Sequence, residues 1–416
     1  MFLNNYHDIK NKEIYVLTFL ILFSILIRIP VVYMFGDIRI ENEWGILFKN
    51  LITSGQLIYE DSEVQLALPN LWMPPLYAYY IYFFSIFSSE EAKITFIVLS
   101  SQVLLASISV SIFYKLNKIF FSQKISFYSS LLFSVFPLHL YACSQISSIS
   151  LQTFLIILFL YYFLKFTEKN DFKFLIAFSF LGGLLMLLRG ESIAIVFLSS
   201  MYLFFFFKIP IKNIFIIFLI TLVTISPYLI RNIIIFEKAT IIKSFGYNFW
   251  RGNHPEALKN SLVEGSELRY GNLSEQIHSI PKDNNFRFNY DKLFLSEAIK
   301  NIGSNPIGYI IFSIKKGLSF LLINAKSMDP KYFNPFNYLP LLVLGITSLI
   351  GIGLSDKKSY KFNFLIMVFF IYVMIFSAVA ILPRYKLIIL PLQIIFTNVL
   401  IERFKKIFFN HKKVTR

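Results

Sequence analysis

The chain of 416 residues contains one cysteine, Cys143, and five scattered histidines. A lone thiol forms no intramolecular disulfide, and the histidines show none of the spacings of a zinc site. Charged residues are scarce as well, at 15%, where a soluble domain carries about a quarter. There is no glycine-rich phosphate loop and no dinucleotide fingerprint, and no repeat at the roughly 20- to 50-residue periods of solenoids. These absences move nucleotide-driven pumps and redox enzymes out of the front rank.

What the chain does have is apolar surface: 56% of its residues are hydrophobic and 18% aromatic. That composition marks an integral membrane protein. Apolar runs of about 17 to 25 residues, the length that crosses a bilayer, fall at 14–35, 94–114, 125–142, 147–165, 173–189, 191–207, 213–229, 338–354, 362–381 and 384–402. Two further runs are ambiguous. Residues 75–87 are short for a crossing, and 307–325 carry Lys315 and Lys316 at the centre, where a lysine costs about 2.5 to 3.5 kcal/mol. The expected fold is all-α, a polytopic membrane protein of about ten to thirteen helices with short interfacial helices in its outer loops, forming one domain over 1–416.

A net charge of +16 could suit nucleic acid, yet the lysines lie in short loops and in the tail KKIFFNHKKVTR. Positive-inside placement accounts for them, so nucleic acid is not an expected partner and membrane lipid is. Lys10 and Lys12 place the amino terminus in the cytoplasm, and the first apolar run, lacking a small-residue cleavage site, reads as a retained anchor. Keeping both the tail and the loop with Lys115, Lys118 and Lys124 inside requires 75–87 and 307–325 not to cross. With 49 phenylalanines, a stripe of Phe is core packing or lipid contact and marks no functional site.

Two polar regions interrupt the pattern, 36–72 and 231–305, and both are expected on the outer side. The first holds Asp37, Glu41 and Glu43, then Glu60, Asp61 and Glu63, and runs into NLWMPPLYAYY. Carboxylates at a bilayer surface usually sit where ions, protons or polar substrates are handled. The second opens with SPYLIRN and continues to GYNFWRGN, a large aromatic and a cation between turn-forming residues. Aromatics beside side-chain amides suit sugar rings and suit turn packing equally well.

Five segments in order carry a resemblance: ENEWG with PNLWMPPLY, LRGE at 188–191, SPYLIRN, GYNFWRGNHPEA, and LPRYKLIILP at 382–391. In these the chain resembles the membrane-embedded C-type glycosyltransferases, in particular bacterial relatives of the protein O-mannosyltransferases and of the lipid A aminoarabinose transferases. Two departures stand out. Tyr228 occupies a position where tryptophan is usual, and the first-loop acidic pair is replaced by Asp37, Glu41 and Glu43 spread over seven positions.

The resemblance implies an enzyme of the plasma (inner) membrane that moves a sugar from a polyprenyl-phosphate donor to a hydroxyl of a lipid, glycan or protein acceptor on the outer face, with inversion. The attacking hydroxyl must lose a proton, so a first-loop carboxylate is the expected general base: Glu43 first, then Asp37, with Glu41 orienting or binding a cation. The departing phosphate needs a fixed cation, which arginine's planar fork supplies; Arg231, Arg384 with Tyr385, and Arg28 are the candidates. Arg189 and Glu191 are expected to pair at a helix break. Trp72, Pro74, Pro75, Tyr77, Asn232, Trp250 and Asn253 are the expected substrate contacts. No metal ligand set is assigned, although the three acids could hold Mg or Mn with help from water or substrate. The competing classes are a transporter or flippase of lipid-linked sugars, and an O-antigen polymerase or ligase.

Overall fold

The computed structural model describes residues 2–61, 66–265, 270, 273–324, 334–356 and 358–414. The chain is all-α apart from one hairpin among these residues. The first helix, α1 (Phe2–Phe35), leads into a polar segment holding α2 (Asn42–Ser54), the strands β1 (Ile58–Asp61) and β2 (Leu66–Pro69), and α3 (Leu76–Phe84). The strands pair antiparallel with Ile58 opposite Pro69 and Asp61 opposite Leu66. Glu63 lies outside the described residues.

Six helices follow in close order: α4 (Glu91–Asn117), α5 (Gln123–Val135), α6 (Pro137–Ala142), α7 (Ser148–Lys169), α8 (Phe172–Leu188) and α9 (Ser192–Phe206). The run expected to be continuous over 125–142 is cut at Phe136, because the residue before a proline is forced out of helical geometry; Phe136 is extended, with φ −64° and ψ 125°. After α10 (Ile211–Phe236) comes a cap of four helices, α11 (Phe245–Gly252), α12 (Pro255–Asn260), α13 (Leu273–Ser279) and α14 (Phe286–Ser304). The remaining helices are α15 (Pro306–Leu321), α16 (Pro335–Gly353), α17 (Tyr360–Ala378) and α18 (Leu390–Val414), with a 3₁₀ stretch Pro383–Ile388 before α18.

The direction of each helix follows from contacts at its ends. Lys118 meets Glu13 at 3.0 Å, Lys361 lies 3.9 Å from Glu168, the Tyr202 hydroxyl donates to Tyr360 O, and Arg403 donates to Leu354 O. These bring the start of α1, the ends of α4, α7, α9 and α16, and the start of α17 to one lysine-rich end. The bundle therefore alternates through α1, α4, α5, α7, α8, α9, α10, α16, α17 and α18. Both α3 and α15 stay at the other end: Gly317 and Phe320 of α15 pack on Ser377 and Phe376, at the far end of α17.

Six helices among the described residues are long and apolar enough to cross a membrane. Two of the bundle helices are shorter; α8 has 17 residues and α9 has 15, about 26 and 22 Å at 1.5 Å per residue, against a hydrocarbon core of about 30 Å. They meet at the break around Gly190. The outside of α1 shows Leu22, Leu26, Ile29 and Tyr33, as a lipid-facing helix should. Inside, small residues let backbones approach: Gly182 rests on Val196 and Gly183 on Thr224, the packing that drives helix association in lipid.

Candidate functional site

At the end away from the lysines, the linking segments brace one another. Asp37, just past α1, donates its backbone N–H to Ser144 O at 3.0 Å, and its Oδ2 accepts the N–H of Ile146 at 2.6 Å. That fixes the first loop to the turn before α7. Gln102 of α4 donates to the carbonyls of Cys143 and Gln145 and accepts from the Tyr77 hydroxyl at 2.8 Å; Trp44 packs edge-on against Tyr77, centroids 4.7 Å apart. Burial pushes the Asp37 carboxyl up from its usual range, the Ile146 N–H opposes that rise, and the charge of Glu41 adds to it. No donor among the described residues reaches Asp37 Oδ1.

The same α7 reaches a second feature. Gln152 donates to Glu191 Oε1 at 3.1 Å, and Arg189 Nε donates to that oxygen at 3.0 Å, the pair expected at the helix break. Arg189 lies over the ring of Tyr385, 5.0 Å from its centroid. The neighbouring Arg384 is exposed, with no hydrogen bond or ion pair among the described residues. A β-carbon at Gly190 would stand 2.5 Å from Ile242 Cδ1, so the break also abuts the segment entering the cap. Lys243 N–H donates to Leu71 O at 2.6 Å, and Ile381 N–H to Val263 O at 2.8 Å. First loop, helix break, cap and the 379–385 segment thus form one assembly.

Other expected site residues have structural partners. Arg231 sits in the last turns of α10, inside a helix where the second polar loop was expected to have begun. Its guanidinium donates to Leu57 O at 3.0 Å, Asn70 O at 3.2 Å and Asn232 Oδ1 at 2.6 Å, clamping the base of the hairpin. Asn232 is buried and donates to Thr240 O. Arg28 is fully buried and donates to Ser24, Ser134 and His139 Nδ1, turned inward from the bundle end. Pro74, Pro75 and Tyr77 are buried. Trp250, at 1% exposure, is the centre of the cap core with Phe286, Tyr290 and Phe294. Asn253 donates to Phe249 O and Ala378 O. Trp72 is half-buried among Tyr59, Tyr247 and Tyr290, with the Arg287 guanidinium 5.1 Å from its ring. Glu43 is half-buried in the first turn of α2 and Glu41 is exposed.

Residues with no motif signal also hold the site. Gln102, Gln152, Arg287 and Lys316 contribute; Lys316, buried in α15, donates to Gly252 O at 2.8 Å. For Gln102, Gln152 and Lys316 the partners lie far away in sequence, and the only local hint was a polar residue inside an apolar run; Arg287 lies in a polar stretch that gave no hint at all. Two cavities flank the assembly. One, about 540 Å³, is lined by Glu41, Asn42, Lys49, Thr53, Glu60 and Glu91 among others. The other, about 470 Å³, is an apolar groove between α15 and α17 that ends at Asn253, Ser377 and Ala378. Among the described residues no three His, Cys, Asp or Glu side chains converge as a metal site.

Residues 73–230 match the family of dolichyl-phosphate-mannose-protein mannosyltransferases. Over 96% of its length the chain superposes on the oligosaccharyltransferase AglB of Archaeoglobus fulgidus, solved with an inhibitory peptide and a dolichol-phosphate, with a TM-score of 0.57 and 12% identity. The chain carries the fold of the C-type glycosyltransferases. A second AglB structure from Archaeoglobus fulgidus, with Zn and sulfate, gives a TM-score of 0.56 at 14% identity over 94% of the chain and 50% of that protein. The chain spans about half of AglB, 51% in the first case. ArnT of Cupriavidus metallidurans, bound to undecaprenyl phosphate, is similar at a TM-score of 0.41 and 12% identity, over 90% of this chain and 77% of that one. No curated protein sequence matches the chain. This is a multi-pass membrane protein.

Proposed function

We propose that the protein transfers a sugar from a polyprenyl-phosphate carrier to an acceptor hydroxyl at the outer face of the plasma membrane, with inversion at the anomeric carbon. One observation carries the reading: among the described residues, a half-buried carboxylate with one oxygen unbonded, Asp37, and an exposed arginine with no hydrogen bond or ion pair, Arg384, belong to segments braced against the same end of α7. The lysine-rich end faces the cytoplasm by the positive-inside rule, which puts this assembly outside.

In this reading Asp37 is the general base, ahead of Glu43 and Glu41. Its backbone is anchored, Oδ2 is oriented by the Ile146 amide, and Oδ1 remains to take the proton of the attacking hydroxyl. A base with a raised pKa releases its proton less readily as an acid and accepts one better at neutral pH. Arg384, held beside Tyr385, meets the charge that grows on the leaving phosphate. Arg231 shapes the wall through the hairpin. The apolar groove of α15 and α17 takes the prenyl chain, since its upper end reaches Ala378 on the segment that continues to Arg384. The polar cavity beside Glu41 takes the acceptor. Residues 36–72 and 231–305 serve as catalytic loop and substrate cap of a single domain. No step needs a metal, and full turnover is expected in excess chelator.

Purified protein in detergent, given a polyprenyl-phosphate sugar and a membrane-derived acceptor fraction, should release polyprenyl phosphate and label the acceptor. Movement of the intact lipid across a vesicle with no release would instead make the protein a flippase.

A further inference from the structure

The Arg189–Glu191 pair sits in a helix break with its side chains only 16% and 15% exposed, and for a pair so covered the desolvation cost offsets much of the attraction, so net stability is weak grounds for its presence. Its surroundings give it another role. Glu191 Oε1 receives two donors, Arg189 Nε at 3.0 Å and Gln152 Nε2 at 3.1 Å, so the carboxylate locks the guanidinium in one plane. That plane covers the Tyr385 ring at 5.0 Å, while Phe376 closes on the ring with centroids 5.0 Å apart. A β-carbon at Gly190 would press on the tip of the Ile242 side chain, so the break packs against the segment that enters the cap. The Arg384 side chain, by contrast, has no hydrogen bond among the described residues and lies 5.9 Å from the Tyr385 ring centroid, so its position depends on the short 3₁₀ stretch Pro383–Ile388 that carries it. Of that stretch, Tyr385 is gripped by Arg189 and Phe376, and Lys386 is tied to Leu322 O at 2.5 Å.

We propose that Arg189, Glu191 and Gln152 are positioning residues, which fix Tyr385 and thereby hold Arg384 where a lipid phosphate binds. The inference rests on the glycosyl-transfer reading above, because it takes Arg384 as the phosphate anchor. Its physical basis is preorganisation. A cation already fixed at the place where negative charge collects stabilises that charge without a reorganisation cost, and a cation on a loose segment does not. A pair that served only the fold would weaken the protein without regard to Arg384.

Coupling separates the two roles. The affinity of full-length protein in detergent micelles for undecaprenyl phosphate is measured for wild type, Glu191→Gln, Arg384→Ala and the double variant, with thermal unfolding recorded for each. Each single change is expected to weaken binding about tenfold, and the double variant to bind no more weakly than Arg384→Ala alone. Unchanged affinity in Glu191→Gln, or a loss in the double variant equal to the product of the single losses, overturns the inference. Should Glu191→Gln unfold, Arg189→Lys replaces it in the same cycle: it keeps the charge and gives up the planar stack on Tyr385, so it too should lose binding without adding to Arg384→Ala. A lysine variant with wild-type affinity contradicts the role. If wild type does not bind the lipid, or Arg384→Ala binds as wild type does, the functional reading fails and this inference with it.

Discussion

At the end of the bundle that holds Glu13, Lys118, Glu168 and Lys361, successive helices are joined by the short links 118–122, 170–171, 207–210 and 354–359, and partly exposed ion pairs lie among them. At the other end the links are long or the helices are broken: a hairpin and short helices at 36–90, a proline break at 136–137, a break at 189–191, and a four-helix cap. Charges at the first end pair with one another in partly exposed positions. At the second, single polar groups are drawn into apolar surroundings and given specific partners, as with Asp37 on the Ile146 amide and Glu191 under Arg189 and Gln152. A bilayer makes irregular backbone expensive unless protein covers it, so an end that concentrates such backbone retains it for a purpose beyond closure.

That contrast can be broken by substitution. The largest effect is expected for Asp37→Asn, which keeps the shape and removes the base: transfer should fall about 10²- to 10⁴-fold with lipid binding retained, measured as polyprenyl phosphate released per minute. Glu43→Gln should fall far less. Next come the two arginines. Arg384→Ala should reduce transfer on the order of a hundredfold and leave the melting temperature unchanged. Arg231→Ala, which strips donors from the Leu57 and Asn70 carbonyls, should lower stability by about 1 to 3 kcal/mol, read as a lower melting temperature. Reversed behaviour of the pair would exchange their roles.

The pH profile gives a smaller effect. Asp37 must be ionised to act, and burial raises its pKa, so the acidic limb of kcat/KM should lie above the ordinary carboxylate range. It should move down in a variant that opens the Asp37 pocket, such as Tyr77→Ala. The sign for stability is opposite to that for activity: a carboxyl whose pKa is higher folded than unfolded contributes most below its unfolded pKa, and that contribution is lost as pH rises through the folded value. Least affected of all should be Lys118→Ala at the lysine-rich end, where both partners are about one-third exposed; its cost should be under about 1 kcal/mol with transfer unchanged.

Much of the bundle could be read from sequence, because hydrophobic run length and lysine placement are local signals and the bilayer enforces both. The parity argument that kept 75–87 and 307–325 from crossing agrees with α3 and α15, which stay at one end. The hairpin at 58–69 gave no such signal: its strands are four residues long, and its register depends on Arg231, more than 160 positions away. Trp250 illustrates the same limit. Turn-forming neighbours left it open between sugar contact and turn packing, and α14 supplies Phe286, Tyr290 and Phe294 to bury it. The Arg189–Glu191 pair was legible because its partners stand two residues apart at a break. Gln152, which completes it from another helix, was not.

The central claim is that Asp37 and Arg384 work on one bond from two sides. The most direct test measures polyprenyl phosphate release from a polyprenyl-phosphate sugar by wild type and by Asp37→Asn at matched lipid occupancy. The account predicts steady release by wild type and almost none by the variant, with both proteins binding the lipid equally. Equal release by the two would contradict it.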